Sequence, residues 1–377
     1  MASRVFNVGV IGYGLSANIY QIPFITAAKN LNLYAVVQRT PKPDDDAQKD
    51  WPGVKSYRST ELLVSDPAVD VVVVTTAPDS HLELAKLALN AGKHGMLEES
   101  RYIRQRTTSL TFVLCQLSSK SRSLRHTKKL KSSSNLQKSR IVSSRCRRWD
   151  ADFRTLSQVV KNGSLGRLVE YETRFERHVP GVPGSAWRTK EMPGGGAIYD
   201  LGAHLIDQTV QLFGLPKRIT AFLGNQREGV SGSDDSFTVL MHYDGFLATA
   251  KAAVVSPQEK QLRFWVRGTQ GTYMKHHFDV QEEQLKAGMR PGDDGYGVEP
   301  SQRFGTLTSV QSDGTFKSEV VPTVTAPLYT DFYDKLAKAL ADEGNTPVDP
   351  VESAIVIRLI ELAIQSSQTG KTLDVDV

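Results

Sequence analysis

The feature that most constrains this chain is a glycine-rich turn close to its start. A β-rich apolar run, Phe6–Ile11, leads directly into Gly12, and a helix-like stretch follows to about Lys29. In such a turn the first glycine permits the tight bend, the second lets the backbone approach a diphosphate, and a small third residue keeps the helix close to its sheet. The spacing Gly-x-Gly-x-x-Ala therefore predicts a dinucleotide-binding loop, with a purely structural turn as the alternative. The residues assigned to this loop are Gly12, Gly14, Leu15, Ser16 and Ala17.

Strands and helices alternate through roughly the first hundred residues. A second strand is expected at Leu33–Gln38 and a third, buried on both faces, at Asp70–Thr76. A helix is expected at His81–Ala91, opened by Pro78 and Asp79. This alternation indicates right-handed βαβ units and a parallel sheet. We therefore expect an N-terminal α/β domain of the Rossmann type over residues 1–150, in which residues 100–147 are anomalous.

The pattern changes after about Asp152, where strands follow one another without intervening helices. These strands are expected at Leu168–Glu176, Phe237–Tyr243, Phe246–Val255, Gln261–Gly268 and Gly271–Lys275. Helices are expected at Arg154–Lys161, Tyr199–Phe213, Leu328–Leu340 and Val351–Ser366. Consecutive strands favour an open, mostly antiparallel sheet, so residues 151–377 are predicted to form an α+β domain that binds substrate and mediates oligomerisation.

The residues after the second strand indicate which nicotinamide cofactor fits. NAD-binding sites place Asp or Glu there to accept from the ribose 2′-hydroxyl, whereas a 2′-phosphate requires a cation. Here the chain reads Gln38-Arg39-Thr40, with no carboxylate before Asp44. Arg39 is expected to bind the phosphate, and its alternative role is that of a solvated surface arginine. The sequence thus favours NADP, with NAD as the alternative.

Further cofactor contacts are expected after the third strand. Thr75, Thr76 and Pro78 lie at its carboxyl end, the edge at which open α/β sheets bind ligands. His81 follows and is expected to line the nicotinamide pocket, with a helix cap or a surface position as the alternatives.

A second group of candidate residues lies in the second domain. Asp200, His204 and Asp207 are four and three positions apart, so one helix face can carry all three. A histidine whose tautomer is fixed by a carboxylate can move a hydroxyl proton, which makes Asp200 and His204 a candidate catalytic pair. Gly194–Gly196 would let a substrate approach the backbone. Two alternatives stay open: a metal site, which lacks a third strong ligand and is not predicted, and a structural role with Asp200 as a helix cap.

Length and composition restrict the class of protein. A chain of 377 residues exceeds one ordinary core and predicts two domains. A mean hydropathy of −0.31, without a long apolar run, predicts no membrane span. The start of the chain predicts no secretory signal, and two cysteines cannot form a disulfide framework, so we expect a cytoplasmic protein.

One segment differs from the rest of the chain in composition. Between Ser100 and Trp149 there are fourteen Lys or Arg, twelve Ser and both cysteines, but no Asp or Glu. The formal net charge is +5, and without this segment 32 basic and 41 acidic residues leave −9. A nucleic-acid partner would depend on this segment alone, which has no supporting aromatic or motif pattern, so no such partner is expected.

A set of motifs extends over residues 5–98 and 147–375. They are Val8–Ser16, Val73–Thr76, Ala91–His94, Arg147–Asp150, Tyr199–Gln208 and Gln281–Gly288. Together they resemble the Gfo/Idh/MocA oxidoreductases, the family of glucose-fructose oxidoreductase and inositol dehydrogenase, and within it most of all the NADP-dependent scyllo-inositol dehydrogenases and their fungal relatives.

The resemblance implies hydride transfer between NAD(P) and a sugar or cyclitol carbinol, and a homodimer or homotetramer. It implies that Asp200 and His204 belong to the catalytic set, and that Glu98 opens the family's Glu-Lys-Pro motif beside the cofactor. The residues expected near a polyol or sugar-like substrate are Arg148, Trp149, Trp187, Arg188 and Asp207.

The chain departs from the family at this motif. It reads Glu98-Glu99-Ser100, so Glu99 occupies the position of the catalytic lysine. The basic, serine-rich stretch then stands where the family has a helix and a strand, and we expect it to leave a loop that buries no core. Either Ser100–Cys146 derives from a wrong reading frame or retained intron, which the abrupt change in composition favours, or the substitution is real. In the second case a cofactor-binding regulator without turnover is the alternative function.

Overall fold

The computed structural model describes residues 4–77, 80–98, 141–144, 146–181, 194–229, 232–325 and 329–377. Two compact units divide the chain. The first contains Met1–Cys146, Gln284–Tyr296 and Tyr329–Ala354, and the second contains Arg147–Glu283, Gly297–Leu328 and Ile355–Val377. After the second unit has begun, the chain thus returns to the first unit twice, at Gln284–Tyr296 and at Tyr329–Ala354. The expected division into domains at residue 150 stays a prediction.

A parallel six-stranded sheet lies at the centre of the first unit. Its strands are β1 Phe6–Ile11, β2 Leu31–Val37, β3 Lys55–Tyr57, β4 Val71–Val74, β5 His94–Glu98 and β6 Ile141–Ser144. They lie in the order β3-β2-β1-β4-β5-β6, and all neighbours pair in parallel. The predicted Rossmann-type sheet is confirmed. The strand order reverses between β1 and β4, and open α/β sheets bind ligands at the carboxyl ends of the strands beside such a point.

Helices connect these strands and bury their apolar faces on the sheet. They are Ile22–Ala27, which follows a π-helical turn at Ser16–Gln21, and Ala47–Asp50, Thr60–Ser65 and His81–Asn90. All four residues of β4 are buried, as its continuous apolar run predicts. A later helix, Tyr329–Leu340, also belongs to this unit.

The sixth strand corrects one expectation from the sequence. The basic segment is predicted to leave only a loop, but Ile141–Ser144 pairs in parallel with β5. The outer edge of β5 offers backbone N–H and C=O groups that need partners, and the β-branched residues Ile141 and Val142 favour the strand conformation that supplies them. Residues 99–140 and 145 lie outside the described residues.

A nine-stranded sheet lies at the centre of the second unit. Its strands are β7 Leu168–Glu176, β8 Arg218–Gly224, β9 Ser236–Tyr243, β10 Phe246–Ala253, β11 Leu262–Gly268, β12 Gly271–His276, β13 Gly305–Val310, β14 Phe316–Val321 and β15 Leu373–Asp374. Their order is β14-β13-β12-β11-β7-β10-β9-β8-β15. Within this sheet as described, β7 and β10 pair in parallel and the other neighbours are antiparallel. The expectation of a mostly antiparallel, open sheet is confirmed.

Helices pack on this sheet and carry part of the candidate site. They include Ala151–Lys161, Ala203–Phe213 after a π-helical turn at Ile198–Gly202, and the long helix Pro350–Thr369. The Ser366 and Ser367 hydroxyls of the long helix each accept a hydrogen bond from β8 backbone at 2.9 Å. Among the helices of the described ranges, none combines the length and the apolar character that crossing a bilayer requires.

Candidate active site

The glycine turn has the backbone geometry that its sequence predicts. Gly12 has φ +100°, and a Cβ there would lie 2.9 Å from the Thr75 Oγ1 atom. The Gly12 N–H donates to the Val37 carbonyl at 3.1 Å. Position 12 therefore admits only glycine without strain, because both its φ and its closeness to Thr75 exclude a side chain.

The second and third positions of the motif differ in their surroundings. Among the described residues, a Cβ at Gly14 would meet nothing within 4 Å, so they leave open space over the start of the helix. Ala17 is fully buried, whereas the side chain of Leu15 is exposed. A small buried residue beneath and open space above are what a diphosphate at a helix start requires, so the turn fits a dinucleotide. The helix opens as a π turn, a feature frequent at functional sites.

A helix distant in sequence holds this turn in place. The Tyr333 hydroxyl donates to Gln21 Oε1 at 2.6 Å, and Gln21 is buried at the end of the π turn. Tyr333 also stacks on Phe24 with ring centroids 5.5 Å apart. No motif around residue 333 signals this contact, so sequence reasoning missed it.

A cation, Arg39, lies just after the end of β2, and the sequence has no carboxylate between it and Asp44. The buried carboxamide of Gln38 is occupied, since Nε2 donates to the Asp45 carbonyl at 2.7 Å and Oε1 accepts from the Ala47 N–H at 3.1 Å. The next residue, Arg39, is exposed. Arg39 is therefore an exposed cation at the edge where the ribose of a dinucleotide is expected.

The loop after β4 is braced by its own polar groups. Thr75 Oγ1 donates to the Ile11 carbonyl at 3.0 Å, and the Thr76 and Ser80 hydroxyls lie 2.6 Å apart. His81 is 2% exposed, and its Nε2 lies 2.8 Å from the Thr76 carbonyl oxygen. His81 thus braces this loop, and its place in a nicotinamide pocket stays a prediction.

In the second unit, Asp234 fixes the start of the helix that carries the candidate pair. Its Oδ2 accepts from the Ile198 N–H at 2.8 Å, and its carbonyl accepts from the Ala197 N–H at 2.8 Å. Gly196 has φ +90°, and a Cβ there would collide with the Asp234 carboxylate. Burial raises the pKa of Asp234 to about 6. Asp234, which the sequence did not single out, therefore caps the start of this turn, and the structural role of Asp200 stays an alternative.

Asp200 and His204 lie on either side of a change in helix type. Asp200 belongs to the π turn Ile198–Gly202, and His204 is the second residue of the helix Ala203–Phe213. Both are partly exposed, unlike the buried residues around them. The two residues are spaced by about one helical turn, and their role as a catalytic pair stays a prediction.

Asp207, the third member of the predicted set, faces an arginine. Arg148 Nε and Nη2 donate to the two carboxylate oxygens of Asp207, each at 2.7 Å. The side chains of Arg148 and Asp207 are 10% and 3% exposed. Gln208 Nε2 donates to the Arg147 carbonyl at 2.7 Å, and Trp149 is buried. The structure thus brings together two motifs about sixty residues apart, 147–150 and 199–208.

A buried arginine joins these motifs to the sheet. Arg263 is fully buried, and its guanidinium donates to Asp152 Oδ2 at 2.9 Å, Thr173 Oγ1 at 2.8 Å and Gln208 Oε1 at 2.8 Å. Desolvation raises the pKa of the neighbouring buried Asp150 above its ordinary value. Sequence reasoning missed Arg263, because alternation along the strand places it on the face opposite Phe264 and because its partners are distant in the sequence.

Several predicted site residues lie outside the described residues. They are Pro78, Glu99, Trp187 and Arg188. Glu98 ends β5, and nothing is described of its side chain. In the portion of the chain that the structure describes, no group of three His, Cys, Asp or Glu is placed to hold a metal ion.

Comparison with known proteins identifies relatives over nearly the whole chain. Residues 6–99 match the Gfo/Idh/MocA model described as an oxidoreductase family NAD-binding Rossmann fold. Residues 157–375 match the model of that oxidoreductase family's C-terminal alpha/beta domain.

Individual relatives agree with these models. An oxidoreductase of Schizosaccharomyces pombe is 31% identical over 97% of this chain and 98% of its own length. The scyllo-inositol 2-dehydrogenase (NADP(+)) IolW of Bacillus subtilis is 30% identical over 97% of this chain and 95% of its own. The solved structure of the Bacillus subtilis oxidoreductase YvaA superposes with a TM-score of 0.85 at 28% identity, covering 100% of both chains.

Proposed function

This chain belongs to the Gfo/Idh/MocA oxidoreductase family, and we propose that it transfers hydride between NADP and a carbinol carbon of a sugar-like or cyclitol-like polyol. The observation that carries the proposal is the intact glycine turn. Gly12 adopts a positive φ, the space over Gly14 is open, and Ala17 is buried. These three features together favour a bound dinucleotide over an ordinary turn.

The preference for NADP is supported at the end of β2. The Gln38 carboxamide is turned to Asp45 and Ala47, and the exposed residue that follows is Arg39. A guanidinium attracts the dianionic 2′-phosphate and offers two parallel hydrogen bonds to its oxygens. The name of the IolW relative, which specifies NADP(+), points in the same direction.

Asp200 and His204 supply the acid–base chemistry in this proposal. His204 accepts the hydroxyl proton of the polyol as the carbinol becomes a carbonyl, and Asp200 stabilises the imidazolium that forms. In the reverse direction His204 returns that proton to the carbonyl oxygen. The bound nicotinamide supplies the hydride acceptor or donor.

Glu99 supports a second candidate function. Because it replaces a lysine of the family's catalytic motif, it removes a positioned proton-transfer group, whose loss typically costs about 10²–10⁴-fold in rate. A chain that retains the glycine turn but lacks this lysine would suit a regulator that binds NADP without turnover.

One experiment separates the two functions. The full chain and its Glu99→Lys variant are each mixed with NADP and a panel of polyols beginning with scyllo-inositol, and the absorbance of reduced nicotinamide is followed. Turnover by the chain as written supports the enzyme, and turnover only after Glu99→Lys shows that the site is intact apart from the lysine. NADP binding with no turnover by either chain supports the regulator, whereas a folded chain without affinity for either cofactor refutes both.

A further inference from the structure

A second arginine lies beside the end of β2, on the neighbouring strand. Residues 57 and 58 run alongside residue 38, since the Gln38 N–H donates to the Tyr57 carbonyl at 3.0 Å. The Arg58 guanidinium reaches back across this edge, where its Nη1 donates to the Gln38 carbonyl at 3.0 Å and to Ser56 Oγ at 2.7 Å. Arg58 is thereby held next to the peptide that joins Gln38 to Arg39.

Both arginines have guanidinium N–H groups that can donate to a ligand at this edge. Arg58 and Arg39 are exposed, and neither forms an ion pair within the described part of the chain. The two contacts of Arg58 use Nη1 alone, so among the described residues Nε and Nη2 meet no acceptor. Two guanidinium groups without counterions at one strand edge create a positive potential that favours a small, doubly charged anion.

The nearby carboxylates do not form ion pairs with these two arginines. The Asp46 carboxylate accepts from the Gln48 N–H at 3.0 Å, and Asp50 accepts from the Tyr13 hydroxyl at 2.7 Å. Lys55, on the same strand as Ser56, pairs with Asp66 at 3.1 Å. Among the described residues, no carboxylate lies within ion-pair distance of Arg39 or Arg58, so both guanidinium groups remain available to a ligand.

We propose that Arg58 is a second phosphate-binding residue, which with Arg39 holds the 2′-phosphate of NADP and sets the preference of this chain for NADP over NAD. The inference rests on the proposed function, because it assumes that a dinucleotide lies along the glycine turn. In a Rossmann-type sheet the adenosine ribose lies at the carboxyl end of β2, which is where Arg58 is anchored. The anchoring contacts orient the guanidinium before the ligand arrives, which lowers the entropy lost on binding.

Ligand titration of the full chain tests the proposal. Dissociation constants are measured for NADP and NAD, and for 2′,5′-ADP and 5′-AMP, which differ only in the phosphate. The variants are Arg58→Leu, Arg58→Lys and a control, Arg4→Leu. Arg4 is an exposed arginine of the same unit that pairs with Asp70 at 2.7 Å, at the amino ends of β1 and β4. Arg4→Leu therefore changes the net charge equally without touching the β2 edge.

The expected result is selective for the phosphate. Arg58→Leu should weaken NADP and 2′,5′-ADP about tenfold to a hundredfold, as the loss of a charge-assisted hydrogen bond predicts. NAD and 5′-AMP should change less than about twofold, because they carry no 2′-phosphate. Arg58→Lys should recover part of the NADP affinity, and Arg4→Leu should alter no constant.

Three other outcomes overturn the inference. If Arg58→Leu leaves the ratio of NADP to NAD affinity unchanged while the wild type binds both, Arg58 does not read the phosphate and the proposed function survives. If NADP and NAD weaken equally, Arg58 supports the loop and not the ligand. If the folded wild-type chain binds neither cofactor, the proposed function itself fails and the inference fails with it.

Discussion

At the scale of single residues, two separate constraints require glycine at position 12. Its φ of +100° lies in the region that other residues avoid, and its missing side chain leaves room for Thr75. A substitution at Gly12 therefore combines backbone strain with displacement of the loop after β4. These two effects can be separated experimentally, because a substitution at another glycine, Gly53, causes the backbone strain without displacing a neighbouring described residue.

Gly12→Ala should lose stability and cofactor affinity together. Forcing a non-glycine residue into left-handed backbone costs about 1–2 kcal/mol, and the added methyl would displace Thr75 Oγ1. Gly53 is the matched control, since its φ is +95° and a Cβ there meets nothing within 4 Å. Urea unfolding should show a loss of stability for Gly53→Ala that is comparable with the loss for Gly12→Ala. NADP titration should show a loss of affinity above about tenfold for Gly12→Ala alone. Equal affinities in the two variants would contradict the role of position 12.

Asp234 gives the folded chain a pH dependence of known sign. Burial raises its pKa from 3.8 to about 6 on folding. An acid whose pKa is higher in the folded chain binds its proton more tightly there, so its favourable contribution is complete below about pH 4 and is lost as the pH rises to about 6. The shift of about two pKa units corresponds to about 3 kcal/mol.

Asp234→Asn should therefore flatten the stability profile. The carboxamide oxygen can still accept from the Ile198 N–H, but it does not titrate across this range. Urea unfolding at about pH 4 and at about pH 7 measures the free energy of unfolding at each pH. The decrease between these two pH values should be smaller in the variant than in the wild type, by up to about 3 kcal/mol. Asp244→Asn, at a carboxylate whose side chain is 80% exposed, is the matched control for the same substitution outside the interior. An unchanged profile in Asp234→Asn would show that Asp234 does not carry this dependence.

At the scale of elements, an ion pair connects the helix Ala203–Phe213 to the segment Cys146–Trp149. The bidentate pair between Arg148 and Asp207 is almost wholly buried. Removing one partner takes the bidentate pair away from a charge that stays buried, which is far more costly than losing an exposed pair. The attachment lies one turn from His204, so it also sets the orientation of the candidate catalytic helix.

Arg148→Met should destabilise the chain by about 3–5 kcal/mol. The double variant Arg148→Met/Asp207→Leu should lose less stability than Arg148→Met alone, because it removes both buried charges of the pair. Lys217→Met breaks the exposed pair with Asp244, 2.7 Å long, and should cost about 0–1 kcal/mol. Urea unfolding of all three variants measures these differences. A double variant less stable than Arg148→Met would refute the buried-charge explanation.

The same elements show which features the sequence could predict. Local patterns sufficed for the glycine turn and for β4 and β7, because periodicity and φ preference are properties of neighbouring residues. They could not predict that Arg148 meets Asp207 or that Arg263 meets Gln208, since these contacts depend on long-range packing. The strand Ile141–Ser144 was missed for a related reason, because its partner is an edge formed elsewhere in the chain.

At the scale of the whole molecule, the first unit is built from three separate stretches of chain. The helix Tyr329–Leu340 contributes Tyr329 and Tyr333, whose rings lie 5.6 Å and 5.5 Å from that of Phe24. Tyr296, in the first returning stretch, Gln284–Tyr296, has its ring 6.5 Å from the same ring. The helix that follows the glycine turn is therefore buried in part by residues about three hundred positions later.

A fragment of residues 1–150 should consequently fail to form a stable cofactor-binding domain. It would expose Phe24, which is 1% exposed in the full chain and lies against Tyr296, Tyr329 and Tyr333. Burying a side chain of this size contributes about 1.5–3 kcal/mol, which is a large part of the entire stability of a small domain. We expect the fragment to bind an apolar dye, to unfold without a sharp transition in urea and to show no affinity for NADP. The full chain is the control, and supplying residues 329–354 as a peptide should restore part of the cooperativity. A fragment that unfolds cooperatively and binds NADP by itself would show that the returning stretches are dispensable, and that the 1–150 boundary is a true domain boundary.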